Sequence, residues 1–118
     1  MDEIIVNGKK YILESETKKT QSEKGLNYVI VRTYSAGVFA GYLSKREGQE
    51  VTLLNARRLW YWEGASSLSQ AAMSGFSKPE KCKFPCEVGE VLLLQAIEVL
   101  SCTQKAKDSI DSVAIWQS

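Results

Sequence analysis

The sequence predicts an α+β protein, with a mostly antiparallel sheet of five to seven strands and one or two short helices. Three observations support this fold class. Short β-prone runs separated by turns fill the first half of the chain, two later segments start at residues that cap helices well, and no internal repeat appears. With 118 residues, the chain fits one domain. We divide this domain, 1–118, into an N-terminal β-hairpin (1–14), a polar connector (15–25) and a main body (26–118).

The composition is that of an ordinary soluble protein. Hydrophobic residues make up 44% of the chain and charged residues 25%, and 15 Lys and Arg oppose 14 Asp and Glu. A protein that binds polymeric nucleic acid usually has a basic face, because neutralised phosphates supply most of its non-specific affinity. The net charge of +1 argues against that partner. No apolar run is long enough to span a membrane, and the acidic start does not match a signal peptide, so we expect a cytoplasmic protein.

The first 25 residues predict a hairpin followed by a linker. Ile4 to Val6 and Lys9 to Leu13 are β-prone runs. Asn7-Gly8 joins them, and this dipeptide tolerates the positive φ angles of a type I′ turn. Residues 14–25 contain no apolar side chain and therefore have nothing to bury.

Two strands are predicted at the start of the main body. Leu26 to Thr33 is the first, and its centre should be buried on both faces. Val38 to Leu43 is the second. Gly37 and Gly41 indicate either a bulge in a tight meander or a stretch of bare backbone on which a ligand rests, and bulges are the commoner cause.

Two further strands are predicted after a polar turn at Lys45 to Gln49. Glu50 to Leu54 forms the third strand and Arg57 to Trp62 the fourth. Alternation along this fourth strand places Arg57, Leu59 and Tyr61 on one face and Arg58, Trp60 and Trp62 on the other. Either face could be the buried one, and the sequence alone does not choose between them.

Two short helices and a mixed segment make up the second half. One helix should run from Ser66 or Ser67 to about Met73, and another should follow Thr103 as its N-cap. Between them, residues 84–88 are short and strand-like. The apolar run 90–102 fits a helix or a strand, and we favour a strand. Residues 113–116 should close the sheet as a last strand or pack as a tail.

The residues that most enzyme mechanisms require are missing. The chain has no histidine, which excludes triads of the Ser-His-Asp or Cys-His kind. No P-loop or dinucleotide-binding glycine pattern is present. Cys82, Cys86 and Cys102 supply too few ligands for a closed structural zinc site. We therefore expect a protein that is not an enzyme and that has no catalytic residues, no metal site and no cofactor.

Binding residues are better supported, because the segment Leu54 to Gly64 brings arginines, an amide and aromatic rings together. Arginine matches phosphate oxygens with two bonds, aromatic side chains stack on bases, and asparagine can pair with the edge of adenine. The candidate ligand-binding residues are Tyr34, Asn55, Arg57, Arg58, Trp60 and Trp62. The competing interpretation, favoured for this segment taken alone, is a tryptophan core capped by arginines through cation–π contacts.

Several stretches of the chain resemble one family of small phage-encoded proteins. They read VRTYSAGVFAGYL, LNARRLWYWEGA, KCKFPCEV and SCTQKAKDSI, followed by VAIW near the end. On these stretches, the chain is identified as similar to the Thoeris anti-defence proteins of the first described type. The similarity covers about Val29 to Trp116, so the predicted hairpin and the connector fall outside it.

The resemblance implies a non-catalytic sponge. Such a protein captures a cyclic ADP-ribose isomer made by a bacterial TIR-domain enzyme, in the host cytoplasm, and does not cleave it. Some members of the family are understood to bind cyclic di- or trinucleotides as well. A homo-oligomer with a dimer as its smallest unit is expected, since a small domain rich in apolar residues near its ends has surface for a partner to cover.

Two other functions compete with the sponge. A phage inhibitor could bind a host defence protein directly, as an anti-CRISPR protein does, and would then have a protein partner and no affinity for nucleotides. A binder of single-stranded nucleic acid would show strongly salt-dependent binding, and the near-neutral charge makes it the least favoured of the three.

Overall fold

A computed structural model of the chain describes residues 25–117. The hairpin predicted at 1–14 and nearly all of the connector lie outside the described residues. Within them, a five-stranded antiparallel sheet has the strand order β4-β3-β2-β1-β5. Its strands are β1 (Tyr28–Thr33), β2 (Val38–Glu47), β3 (Glu50–Arg58), β4 (Glu87–Leu93) and β5 (Ala96–Ser101). Two helices, α1 (Leu68–Ser74) and α2 (Gln104–Asp111), complete the α+β fold that the sequence predicts.

The sheet coils until its two edges approach each other. Strands β4 and β5 follow each other in the chain but lie at opposite edges, and only Leu94 and Gln95 join them. Because the three Cα–Cα steps from Leu93 to Ala96 span about 11 Å at most, the two edges must come close together at this point. Backbone bonds fix the closure: Tyr34 N–H donates to the Gln95 carbonyl at 2.9 Å, and Ala96 N–H donates to the Gln49 carbonyl at 2.9 Å.

Each face of the sheet has its own core. One core draws residues from all five strands and none from the helices, and it includes Val29, Val31 and Phe39. The other lies between the sheet and the two helices, where Ile30 packs in one cluster with residues such as Ile110. The three residues at the centre of β1 are 0–1% exposed, which confirms the prediction that they are buried on both faces.

The prediction of a separate fourth strand at residues 57–62 is wrong. Strand β3 continues through Arg58, and beyond it Tyr61 forms only an isolated bridge with Lys83. The strand continues because a bulge inserts Asn55, whose φ is +51°, opposite Gly41. A Cβ at Gly41 would lie 3.1 Å from the Ala56 Cα, so the missing side chain makes room for β3, and no bare backbone is left there for a ligand.

Two other boundaries differ from the prediction. The polar turn is shorter than 45–49, because β2 extends through Glu47 and the turn consists of Gly48 and Gln49. Gly48 has a φ of +60°, which a tight turn of this kind requires. The apolar run 90–102 is extended as we favoured, but it forms parts of two strands divided at the sheet closure, where the chain must cross from one edge to the other.

Both predicted helices are confirmed with their caps. The Ser67 hydroxyl accepts the Gln70 N–H at 3.1 Å, and α1 ends at Gly75. The Thr103 hydroxyl accepts the Ala106 N–H at 3.1 Å and starts α2. Of the two alternatives for residues 113–116, the tail is observed. Between residues 25 and 117, no helix has the length and apolar character that crossing a bilayer requires.

Candidate functional site

The side chain of Arg57 is buried in the interior of the protein. Its side chain is 5% exposed, and it lies between the sheet and the end of α2. Its Nε donates to the Pro85 carbonyl at 2.9 Å and its Nη1 to the Ile110 carbonyl at 2.9 Å. Its Nη2 donates to the carbonyls of Phe84 at 3.1 Å and Val113 at 2.7 Å. Arg57 therefore joins the segment before β4 to the end of α2, and its donors do not face solvent.

Arg58 lies on the opposite face and is exposed. Its guanidinium sits 4.3 Å from the centroid of the Phe39 ring, and its Nη1 donates to the Ala36 carbonyl. Gly37, at φ +99°, gives the guanidinium room, since a Cβ there would lie 3.3 Å from Nη1. Arg58 thus fixes the loop between β1 and β2. This loop carries Tyr34, whose side chain is 76% exposed.

Trp60 belongs to a surface cluster of aromatic rings around one cation. We call Trp60, Tyr61, Lys83 and Trp116 the indole cluster. The rings of Trp60 and Trp116 are stacked, with centroids 4.9 Å apart and planes 6° from parallel. The Lys83 Nζ lies 5.8 Å from each of the Trp60, Tyr61 and Trp116 centroids. Trp60 remains 56% exposed, so a flat ligand can reach this cluster from solvent.

Three separate chain segments build the indole cluster. Tyr61 and Lys83 pair through their backbones, with the N–H of each donating to the carbonyl of the other at 3.3 and 2.8 Å. Trp116 joins them because its N–H donates to the Phe84 carbonyl at 3.0 Å. The cluster therefore depends on the same segments that Arg57 holds together from the inside.

A carboxylate lies at the margin of the indole cluster. The Tyr61 hydroxyl donates to the Glu63 Oε2 at 2.7 Å, and this hydrogen bond raises the pKa of the exposed phenol. Tyr61 therefore stays neutral at physiological pH. Among the described residues, Lys83 is the cation recorded beside all three rings. Its positive charge can attract an anionic ligand to the cluster.

Two candidate residues lie apart from the cluster and have structural explanations. Trp62 is half-buried, and its ring packs 6.1 Å from that of Phe76 against the core under the helices. Asn55 is exposed at the β3 bulge, in a left-handed conformation that asparagine adopts more readily than most residues. The structure does not bring either side chain into the indole cluster.

The structure decides which face of residues 57–62 is buried. Leu59 is 2% exposed and lies in the core under the helices, while Arg58 and Trp60 face outward. Tyr61 breaks the predicted alternation and is 42% exposed, because regular pairing ends at Arg58. Sequence analysis missed Lys83 and Trp116. Both lie in the stretches that carry the family resemblance, but the spacing of residues does not show that they meet Trp60.

The cysteines do not form a reactive centre. Cys82 and Cys102 are buried and Cys86 is exposed, and all three are free thiols. Burial raises the pKa of Cys82, and it raises the pKa of Cys102 to about 12. Both buried thiols are therefore protonated at neutral pH. Over the described part of the chain, no three His, Cys, Asp or Glu side chains converge as a metal ion would require.

A second surface feature lies where the sheet closes. An open groove of about 740 Å³ is lined by Arg46, the Gly48-Gln49 turn and residues 96–99. Two of the lining residues, Ile97 and Val99, lie on edge strand β5, and their side chains are 45% and 37% exposed. The groove is open, and its lining mixes the apolar Ile97 and Val99 with the charged Arg46 and Glu98, so it lacks the aromatic rings of the indole cluster.

Fold and site together define a small α+β domain that carries a surface cluster of aromatic rings around Lys83. A family model described as a domain of unknown function, DUF6948, matches residues 26–110, so the chain belongs to the DUF6948 family. The match includes Arg58, Trp60 and Lys83 and ends before Trp116. Neither a curated protein nor a solved structure matches the chain.

Proposed function

We propose that this protein binds and sequesters a cyclic ADP-ribose isomer without cleaving it. In this proposal it acts in the cytoplasm of a bacterial host and removes the signal of a TIR-domain enzyme, as its resemblance to the Thoeris anti-defence proteins implies. One observation carries the proposal: a pair of stacked indoles at the surface, of which Trp60 is exposed, with the Lys83 ammonium 5.8 Å from each ring centroid. A cyclic ADP-ribose presents the two matching groups, an adenine and a diphosphate.

The adenine stacks on Trp60, since stacking on an aromatic side chain suits any base and is worth on the order of 1–3 kcal/mol. The diphosphate is held by Lys83 and by Arg58. Arg58 lies two residues from Trp60, so their Cα atoms are at most about 7 Å apart. A guanidinium has five N–H donors, and its bond to the Ala36 carbonyl leaves it able to bind a phosphate as well. Tyr34, on the loop that Arg58 fixes, completes the proposed set.

Sequestration requires neither a base nor a nucleophile, and the residue content agrees with it. The chain contains no histidine, and burial keeps the Cys82 and Cys102 thiols protonated. The protein is therefore proposed to be a binder and not an enzyme, and to release its ligand intact on denaturation.

The proposed assembly is a homo-oligomer, with a dimer as the smallest unit. Exposing aliphatic side chains to water is unfavourable, and a group of them is exposed on the two edge strands and the link between the strands. They are Val88, Leu92, Leu94, Ile97 and Val99. A second copy would cover them. Cyclic di- or trinucleotides remain part of the proposed ligand range, and calorimetry with them belongs in the same experiment.

Calorimetric titration tests the proposal. The full chain is titrated with cyclic ADP-ribose and its glyco-cyclic isomer, then heated, and the released ligand is measured by mass. We expect stoichiometric binding of at least one isomer and recovery of its unchanged mass. Trp60→Ala should abolish most of the affinity, while the control Met73→Ala, at a residue 54% exposed on α1, should bind like the wild type. Degraded ligand, or none bound, would remove the proposal.

A second function is favoured by the groove at the sheet closure. Exposed Ile97 and Val99 beside an edge strand suit an extended protein segment, and an inhibitor that binds a host defence protein directly would use such a surface. Under this alternative, Val99→Lys should prevent capture of the protein partner, Trp60→Ala should not, and no cyclic nucleotide should bind.

A further inference from the structure

The indoles of Trp60 and Trp116 each cover one stacking face of the other. Their planes differ by 6° and their centroids lie 4.9 Å apart. A purine bound to either ring would adopt the same parallel arrangement. One indole of the pair therefore stands where the ring of a ligand would stack.

Trp60 is the more firmly fixed of the two. It follows Leu59, which is 2% exposed and whose N–H donates to the Val38 carbonyl at 2.8 Å. It precedes Tyr61, which is paired with Lys83 through two backbone hydrogen bonds. Trp60 is thus held in place by the neighbours on both sides of it in the chain.

Trp116 lies on the C-terminal tail, which we define as residues 114–117. The last firmly held residue before the tail is Val113, which is 4% exposed and whose carbonyl accepts a hydrogen bond from Arg57 at 2.7 Å. Within the tail, the Trp116 N–H donates to the Phe84 carbonyl at 3.0 Å, and the residues on either side of Trp116 are exposed. The tail also forms an isolated parallel bridge between Ile115 and Phe84. It can turn away after Val113 by breaking this bridge, with its Trp116 hydrogen bond, and the indole stack.

Lys83 stays beside Trp60 when the tail turns away, because its backbone is paired with Tyr61. The surface that remains has a free indole face and an ammonium 5.8 Å from the centroid of that indole. These are the two groups that a ring bearing a phosphate needs.

We propose that Trp116 is a displaceable cover of the binding site. In the free protein it occupies the stacking face of Trp60. A flat ring takes that place on binding, and the tail moves outward. This inference rests on the proposed function for the identity of the ligand, but the displacement of Trp116 is a separate claim.

Two substitutions distinguish a Trp116 that leaves when the ligand binds from a Trp116 that stays and contacts the ligand. Both Trp116→Ala and Trp60→Ala remove the exciton couplet that the two stacked indoles give in far-ultraviolet circular dichroism when their transition dipoles are rotated relative to each other within the ring planes. Their effects on affinity should be opposite. For the cyclic ADP-ribose isomer that the wild type binds, Trp116→Ala should bind about three- to tenfold tighter, because no side chain has to leave. Trp60→Ala should bind about tenfold weaker or worse, because the stacking face itself is gone. Ile115→Ala, on the same tail, serves as the control and should change neither readout.

The wild-type couplet should also disappear at saturating ligand. A couplet that persists with ligand bound, or weaker binding by Trp116→Ala, would overturn the cover and leave the proposed function standing. In a free wild type without a couplet, the affinities decide alone, and binding by Trp116→Ala that is no tighter than that of the wild type would overturn the cover. Failure of the wild type and of Trp116→Ala to bind any isomer would overturn both proposals.

Discussion

Arg57 and Arg58 are neighbours in the chain but belong to different parts of the molecule. Arg57 donates to four buried carbonyls and joins two segments, while Arg58 lies exposed over a ring and fixes one surface loop. Strand alternation sends them to opposite faces, and the helices cover only one face. The two arginines offer the same hydrogen-bond donors, but the face of the sheet on which each side chain lies determines whether a ligand can reach those donors.

The same contrast separates two other pairs of like residues. Trp62 packs against the core while Trp60 is exposed, and Cys102 is buried while Cys86 is exposed. Each pair offers an inner residue that should control stability and an outer one that should not. Substituting both members of a pair in the same way therefore tests the comparison directly.

The arginine pair should give the largest difference. Arg57→Met should lower the free energy of unfolding by about 3–5 kcal/mol, because four buried carbonyls lose their donors. Arg58→Met removes the same charge but should cost only about 1 kcal/mol or less, since its cation–π contact is exposed. Urea denaturation of both variants measures this. A loss below about 1 kcal/mol for Arg57→Met would show that water replaces the guanidinium and that Arg57 does not hold the segments together.

The tryptophan pair should give a smaller difference in stability and the opposite difference in binding. Trp62→Ala should cost about 2–3 kcal/mol, because half of a large ring leaves the core. Trp60→Ala should stay within about 1.5 kcal/mol of the wild type, since only the exposed stack is lost. Thermal unfolding and calorimetry with the cyclic nucleotide are run on each variant. An equal loss of affinity in Trp62→Ala and Trp60→Ala would contradict the assignment of ligand binding to the exposed tryptophan alone.

The cysteine pair should give the smallest effect, at high pH. Burial raises the pKa of Cys102 from an ordinary value of 9.0 to about 12. The unfolded chain therefore loses this proton first, so the stability is fully present below about pH 9 and falls as the pH rises towards 12, by at most about 1.4 kcal/mol per unit. Cys102→Ala should flatten this fall and Cys86→Ala should not.

Urea denaturation at about pH 8 and pH 10 measures the difference between the two cysteine variants. The measurement should not go far above pH 10, because burial also raises the pKa of Tyr28, whose ordinary value is 10.0. At higher pH, ionisation of Tyr28 lowers the free energy of unfolding as well. Identical slopes for the two variants would mean that the Cys102 thiol is accessible to solvent in the folded protein.

Local signals in the sequence were sufficient for the fold class and the helices. Ser67 and Thr103 cap their helices by bonds within three residues, and such short-range contacts can be recognised from sequence. The division of residues 90–102 could not be recognised. It depends on the closure of a coiled sheet, a long-range feature whose only local mark is one polar residue, Gln95, within an apolar run.

For the candidate site, the sequence predicts a binding chemistry but does not show which residues come together. Residue types around Trp60 indicated ring and phosphate binding, but the buried face of the strand depended on where the helices pack. Lys83 reaches Tyr61 through an isolated bridge between segments 22 residues apart, and Trp116 arrives from beyond α2. The backbone role of Asn55 in the bulge, at a φ of +51°, likewise becomes visible only in the structure.

The most direct measurement is the set of three indole N–H signals in a proton–nitrogen correlation spectrum, assigned by substituting each tryptophan in turn. On titration with the cyclic ADP-ribose isomer, we expect the signals of Trp60 and Trp116 to shift and that of Trp62 to stay in place. A ligand that binds while moving only the Trp62 signal, or none of the three, would contradict the assignment of the indole cluster as the binding site.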